Sequence, residues 1–159
     1  MPGGSAFGED PRRAGGTPQR AAPARRGASP SARPLASLWC LPTTLPGLLL
    51  AVLNPLTGGR TSLHTGVVES HGGLAAWLLT HATVLEGGAL AITLGEVVLG
   101  RSAAALDLTR THERVHVAQA RRWGPLFYPA YALASADAWR RGRPPYRGNR
   151  FEAEAYAAG

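Results

Sequence analysis

Lysine is absent from this 159-residue chain, so all 17 of its basic residues are arginines, set against only ten acidic residues. Cysteine is almost absent as well. A lone Cys40 excludes an internal disulfide, so nothing indicates an oxidised, stapled secreted fold. Charged residues make up 17% of the chain and hydrophobic residues 45%. That composition and length suit one domain with its own apolar core.

The net charge of +7 raises the question of a nucleic-acid partner. The arginines concentrate at or before Arg33 and again between Arg140 and Arg150. Neither cluster alternates with aromatic residues, as the stacking surfaces of RNA and single-strand binders do. We therefore do not predict a nucleic-acid partner. The charges would instead keep the chain soluble or contact an anionic membrane surface.

The first two segments of the chain differ sharply in composition. Residues 1–34 contain almost no large apolar side chain, so they are predicted to be disordered. Residues 35–56 form an apolar segment, and no charge occurs between Arg33 and Arg60. That segment is interpreted as a buried or half-buried helix, a membrane anchor, or a cleaved signal sequence. No small-residue cleavage site follows it, which argues against secretion. The predicted location is cytoplasmic or associated with the inner membrane.

Residues 57–159 are predicted to form an α+β domain, in which a small, mostly antiparallel sheet precedes the helices. Thr65-Gly66 is expected to turn one hairpin, and Glu86-Gly87-Gly88 a second hairpin between strands 82–85 and 89–99. Gly95 inside the last strand indicates a bulge or a close backbone approach. A long helix should begin after Ser102 and end at Gly124-Pro125, with further helices near 129–139 and 151–156.

The long helix contains the sequence His112-Glu113-Arg114-Val115-His116. Two histidines four residues apart project from the same helix face and can share one metal ion. A catalytic Zn²⁺ takes three protein ligands and keeps one position open. Glu113 lies about 100° round the helix from His112, close to the metal without binding it, where a general base for water belongs. The motif therefore predicts Zn²⁺ on His112 and His116, with Glu113 as the catalytic residue.

A third ligand must come from the acids that follow, which are Asp137, Glu152 and Glu154. Asp137 lies in the middle of a predicted helix. Glu154 lies 38 residues after His116, which leaves room for a connector and an antiparallel return, and it is the preferred ligand. Glu152 faces a different direction on the same helix and remains the alternative. The other histidines, His64, His71 and His81, fit surface positions or positions where neighbouring groups satisfy them. Each of the four tyrosines could donate a hydrogen bond to an oxyanion near the metal, but packing in the core or at an interface is the favoured role for any one of them.

Five segments resemble a poorly characterised family of short bacterial proteins with a zincin-type His-Glu-x-x-His motif. They are Leu-Pro-Thr-Thr-Leu-Pro-Gly-Leu-Leu-Leu (41–50), Ala-Ile-Thr-Leu-Gly-Glu-Val-Val-Leu (91–99), Arg-Thr-His-Glu-Arg-Val-His-Val-Ala-Gln (110–119), Arg-Trp-Gly-Pro-Leu-Phe-Tyr-Pro-Ala-Tyr (122–131) and Asn-Arg-Phe-Glu-Ala-Glu-Ala-Tyr (149–156).

The resemblance implies a minimal zincin-like domain with zinc, and it also maps the third ligand onto Glu154. Two residues depart from the related pattern. Tyr156 stands where an aspartate is common, and Glu96 stands where a histidine is expected in a strand that would line the cleft. The implied function is a zinc-dependent metallopeptidase-like hydrolase acting on a peptide or protein. One alternative is a non-catalytic zinc-binding or structural protein, which could associate with a membrane. The other is a basic interaction module.

Overall fold

The computed structural model describes residues 32–83 and 87–158, and side chains from residue 35 onward. The predicted disorder of residues 1–34 therefore lies almost wholly outside the described residues. Within these residues, five α-helices and four strands follow in the order α1 (Ala32–Leu53), β1 (Arg60–His64), β2 (Val67–His71), α2 (Gly73–His81), β3 (Ala91–Leu94), β4 (Val97–Gly100), α3 (Ala103–Trp123), α4 (Phe127–Arg140) and α5 (Arg150–Tyr156). The predicted α+β class is confirmed.

The apolar segment forms one continuous helix, α1, which packs against β3, β4 and α3. Its inward residues include Cys40, Gly47 and Ala51. Gly47 lies so close to the sheet that an added Cβ would fall 2.8 Å from the Cβ of Val97. By length and composition alone, residues 35–57 could also cross a bilayer. The helix is nevertheless integrated into the same core as the sheet.

The four strands form one sheet in the order β1-β2-β4-β3. The β1–β2 and β3–β4 pairs are antiparallel hairpins, whereas β2 and β4 run parallel. Two of the three pairings are antiparallel, so this mixed sheet is mostly antiparallel, as predicted. Within the described residues, β1 and β3 each pair on one side only, so both are edge strands. The hairpin predicted at Thr65-Gly66 is confirmed, with His64 paired to Val67.

The second predicted hairpin is wrong. Residues 82–83 form no strand, residues 84–86 lie outside the described part, and α2 occupies residues just before them. The actual turn is Gly95-Glu96, between β3 and β4. Gly95 has φ +63°, and an added Cβ would lie 2.2 Å from Oγ1 of Thr44. The close approach expected at this glycine is real, but it serves a turn against α1 rather than a bulge within one strand.

Helix α3 begins and ends where predicted. The hydroxyl of Ser102 accepts a hydrogen bond from the amide of Ala105, and the helix stops before Gly124. Arg110 and Arg114 on this helix are only half-exposed. Arg110 makes a two-point contact with the buried carboxylate of Glu69 on β2, and Arg114 approaches the same carboxylate to 3.5 Å. These contacts fix α3 against the β1–β2 hairpin.

The C-terminal helices close over the opposite side of α3. Phe127 on α4 and Phe151 on α5 meet at 5.6 Å between ring centroids, in a cluster that also includes Cys40 and Ala120. Helix α5 begins at Asn149, whose side chain accepts from the amide of Phe151. The amide nitrogen of the same side chain donates to the backbone oxygen of Tyr131 and to the hydroxyl of Ser135. The start of α5 is thereby anchored to α4.

Candidate metal centre

Helices α3 and α5 bring His112, His116 and Glu152 together. The two Nε2 atoms of the histidines lie 3.1 Å apart. The carboxylate of Glu152 lies 3.2 Å from Nε2 of His112 and 3.3 Å from Nε2 of His116. Ligand atoms at 2.0–2.1 Å from a tetrahedral ion would be separated by about 3.3 Å. The three side chains therefore have the spacing of a ligand set, and they could hold a metal ion.

Glu154, the predicted third ligand, does not belong to this group. It is exposed, and its Oε2 accepts a hydrogen bond of 2.9 Å from Nε2 of Gln119. Glu152 is instead 2% exposed and points between the histidines. We therefore replace Glu154 with Glu152 as the candidate third ligand. Glu154 contacts Gln119, which in turn contacts His116.

Gln119 fixes the orientation of the His116 ring. Its amide nitrogen donates to the backbone oxygen of Phe151 and to Glu154, so its amide oxygen must face the histidine. That oxygen lies 2.8 Å from Nδ1 of His116. The contact requires the proton on Nδ1, which leaves Nε2 as the lone-pair nitrogen that faces His112 and Glu152. The sequence signal for this role was the position of Gln119 on the same helix face, three residues after His116.

Tyr131 holds the carboxylate of Glu152. Its hydroxyl donates to Oε1 at 2.7 Å. The other oxygen, Oε2, is buried and has no hydrogen-bond partner among the described residues, although it contacts His112. A buried carboxylate oxygen without a partner is costly, because a strongly hydrated group has lost its water. A cation between the two histidines would satisfy this oxygen, so the residues fit a metal.

Glu113 points into the same site from the next position along α3. It is 6% exposed, and its Oε2 accepts a hydrogen bond of 2.7 Å from the hydroxyl of Thr93 on β3. The same hydroxyl lies 3.3 Å from the backbone oxygen of Glu113. No pattern in the sequence indicated a role for Thr93. Its side chain faces Glu113 because β3 packs against α3, which is a contact between distant parts of the chain.

The site shifts the pKa values of Glu113 and Glu152 in opposite directions. Burial raises the pKa of Glu113, and the hydrogen bond from Thr93 and the attraction of the histidines only partly offset it. Burial also acts to raise the pKa of Glu152, but contacts with His112 and His116 and the hydrogen bond from Tyr131 outweigh it and lower that pKa strongly. Burial disfavours the charged form of His116, yet Glu152 and Gln119 more than compensate, and its pKa is raised. Glu152 is thus the permanent anion, and Glu113 is the more readily protonated acid.

A cavity of about 500 Å³ opens beside these residues. The side chains of Glu113, Glu152 and the two histidines line one end of it. The rest of its wall comes from small and aromatic residues of β3, α4 and the adjoining loops, chiefly Ala89, Ala91, Ile92, Phe127, Tyr128 and Tyr146. Apart from those four side chains, no charged residue in the described part of the chain lines it. The cavity therefore suits a neutral, largely apolar group next to the metal position.

The remaining candidate residues lie elsewhere. His64 and His81 are exposed, and Nδ1 of His81 contacts the backbone oxygen of Trp77 within its own helix. Asp137 pairs with Arg141 on the surface of α4. Glu96 sits in the β3–β4 turn, where it is paired with Arg121, so it does not line the cavity as a cleft residue of that strand would.

Tyr156 does reach the site, although it contributes no carboxylate. Its ring packs edge-on to the His112 ring, with 4.8 Å between centroids. The position occupied by aspartate in the related pattern is therefore filled by an aromatic side chain that contacts the imidazole.

Comparisons with protein-family models, curated proteins and solved structures find no match to this chain.

Proposed function

We propose that this protein is a zinc-dependent hydrolase of the metallopeptidase type, with His112, His116 and Glu152 as metal ligands and Glu113 as the general base. The carrying observation is the convergence of three ligand atoms next to a buried, hydrogen-bonded glutamate at the end of a cavity. Two histidines and one carboxylate that leave a position open are the ligand set of catalytic rather than structural zinc sites.

A bound zinc ion would supply Lewis acidity, lowering the pKa of water and polarising a carbonyl group. The chain itself must move the proton. Glu113 is suited to that task because burial raises its pKa toward the range in which a carboxylate can accept and then release a proton. Thr93 holds the carboxylate at Oε2, which leaves Oε1 to receive the proton.

The substrate would lie along β3. This strand pairs only with β4 within the described part of the sheet, and Ala91, Ile92 and Thr93 line the cavity. An extended peptide can add to such an edge through backbone hydrogen bonds. The apolar walls then favour a neutral apolar side chain beside the scissile bond. Tyr128, whose pKa burial raises to about 12, keeps its hydroxyl proton. The hydroxyl now donates a long hydrogen bond of 3.4 Å to the backbone oxygen of Thr93 on the same strand, and it would have to turn from there to donate a hydrogen bond to a substrate carbonyl.

The proposal is tested on the full chain by metal analysis and by turnover of a fluorogenic peptide library. The wild type should bind one zinc ion per chain, and His112→Ala should lose it. The exposed His64→Ala variant is the matched control and should retain it. Glu113→Gln should retain zinc but lose hydrolysis by about a thousandfold or more.

The outcomes separate the two candidate roles. Zinc bound stoichiometrically with no hydrolysis of any peptide in the wild type would favour the non-catalytic alternative. Equal turnover by wild type and Glu113→Gln would remove Glu113 from the mechanism. No zinc in the wild type would remove the metal site itself.

A further inference from the structure

The outer face of α1 carries an unbroken row of exposed apolar side chains. They recur every three or four residues, as one face of a helix requires. We call them the α1 stripe: Leu35, Leu38, Leu41, Leu45, Leu49 and Val52 on α1, with Leu56 in the 3-10 turn that directly follows it. Leu35, Val52 and Leu56 are 70%, 72% and 81% exposed. The row extends for about 31 Å at the rise of an α-helix. A monomer in water rarely leaves so long an apolar face uncovered.

The opposite face of α1 is already occupied by the domain. Cys40, Thr44 and Ala51 are buried there. Thr44 accepts a hydrogen bond from the amide of Glu96, and Ser37 donates to the Glu96 carboxylate, which is paired with Arg121. A helix crossing a bilayer would have to surrender these polar contacts or carry an ion pair into hydrocarbon, which is costly. The stripe is therefore suited to lie along a surface, with the domain on its other side.

The charge pattern identifies the surface. No Asp, Glu, Lys, Arg or His occurs between Arg33 and Arg60, so the stripe offers no partner for the charged rim of a protein interface. The apolar segment is instead flanked by arginine on both sides, with Arg25-Arg26 a few residues further out in the sequence. An uncharged apolar face on a segment that arginines flank in the sequence matches an interfacial helix on an anionic membrane, where apolar side chains enter the acyl boundary and arginines contact the headgroups.

We propose that the α1 stripe docks this protein on the surface of an anionic lipid bilayer, with α1 lying in the plane of the membrane. The inference does not depend on the metal site. It goes beyond the hydrolase proposal by assigning a second binding surface, built from different residues on a different helix.

The test is flotation of the full chain with vesicles of phosphatidylcholine containing 30% phosphatidylglycerol, compared with phosphatidylcholine alone. Wild-type protein should bind the anionic vesicles, and more weakly at high salt. The double variant Leu45→Gln/Leu49→Gln should lower the partition coefficient by about tenfold or more, because two leucines no longer enter the acyl boundary. The matched control Leu108→Gln/Leu133→Gln changes two leucines that are 77% and 72% exposed on α3 and α4, and it should bind as wild type.

Circular dichroism must give both double variants the melting temperature of the wild type. If the stripe variant does not fold, quenching of tryptophan fluorescence by brominated lipids tests the proposal on the wild-type protein instead. Trp39, which is 47% exposed beside the stripe, should be quenched by bromines near the headgroups, and Trp39→Phe should remove that signal.

Three results would overturn the proposal. One is equal flotation of the stripe variant and the wild type. The second is quenching of Trp39 only by bromines at the bilayer centre, which would indicate a spanning helix. The third is absence of vesicle binding together with a wild-type dimer that the stripe variant dissociates, which would assign the stripe to a second copy of this chain.

Discussion

The amide oxygen of Gln119 lies 2.8 Å from Nδ1 of His116 and leaves the other nitrogen of that ring free to bind a cation. The histidine is thus held in one tautomer by a residue one turn further along the same helix. Gln119 is held in turn by the backbone of Phe151 and by the carboxylate of Glu154. The support for the ligand therefore crosses from α3 to α5.

Replacing Gln119 by leucine should weaken zinc binding by about 10–100-fold, because the ring loses the acceptor that sets its proton and its orientation. Competition with a fluorescent chelator measures the affinity. Leu108→Gln, an exposed substitution on the same helix, is the control for nonspecific effects. Unchanged affinity in Gln119→Leu would mean that the packing around His116 suffices to orient it.

The two C-terminal glutamates should behave differently. Glu152→Gln should lower zinc affinity by at least about a hundredfold, because a charged ligand becomes a neutral one. Glu154→Gln should lose no more than about tenfold, because the new amide oxygen can still accept from Gln119. The same chelator competition compares the pair. The reverse order of losses would restore Glu154 as the ligand.

The stability of the zinc-free protein and the stabilisation that zinc adds should respond to pH in opposite directions. In chelator, the raised pKa of His116 gives stability that is complete below its ordinary value of 6.5 and is lost as pH rises through the higher folded-state pKa. The raised pKa of Glu113 acts in the same direction above its ordinary value of 4.5. The lowered pKa of Glu152 gives stability that is complete above 4.5 and is lost only at lower pH.

The melting temperature in chelator should therefore be higher at pH 5.5 than at pH 8. Zinc must displace a proton from His116, so its binding and the stabilisation that it brings should increase from pH 5.5 to pH 8. Thermal melts at the two pH values, in chelator and in zinc, measure both trends. A zinc-induced increase in melting temperature that is larger at pH 5.5 would contradict the ligand role of His116.

Thr93→Val should shift the pH profile of hydrolysis. Without the hydroxyl, the Glu113 carboxylate loses a hydrogen bond that stabilises its charged form, so its pKa should rise further. The acidic limb of kcat/KM should then move to higher pH, while zinc content stays at the wild-type level. Thr109→Val, whose hydroxyl bonds only within its own helix, is the matched control. An unshifted acidic limb would show that Thr93 does not tune the base.

Gly95→Ala should destabilise the fold more than Gly66→Ala. Both glycines turn hairpins with positive φ, and that conformation costs a non-glycine residue roughly 1–2 kcal/mol. A Cβ at Gly66 meets nothing within 4 Å, whereas one at Gly95 overlaps Thr44. Overpacking should add about 1–3 kcal/mol at Gly95 alone. Urea unfolding gives the two free energies. Equal losses would mean that the β3–β4 turn moves away from α1 at no cost.

Turn and helix-capping residues predicted the elements whose ends depend on neighbouring residues in the sequence. Thr65-Gly66 fixed the first hairpin, and Ser102 and Gly124 bounded α3 correctly. Helix α2 was missed because Leu-Ala-Ala-Trp-Leu-Leu is apolar on every side and shows no periodic face. The sequence predicts a strand interior at the Gly95 turn because the residue that packs against it, Thr44, lies 51 residues away on α1.

The third ligand could not be chosen by periodicity. Phe151 and Ala155 define the buried face of α5, and Glu152 and Glu154 flank that face by about 80° on either side. The choice between them depends on how Asn149 docks against α4, which is a contact between distant parts of the chain. The pattern could predict that one of the two glutamates turns inward. Only the packing of α5 selects Glu152.

The contacts of Arg110 and Arg114 with Glu69 have a consequence for how a metal would enter and leave the candidate site. These arginines alternate in sequence with the histidines and contact the sheet from the other side of α3, so rotation of the helix about its axis would break their contacts with Glu69. If the proposed metal binds, both imidazoles are already ordered, so their ordering costs no entropy at the binding step. Glu152, on the short terminal helix, would then be the ligand that detaches while the histidines stay in position. We expect metal to enter and leave by opening of the α5 side.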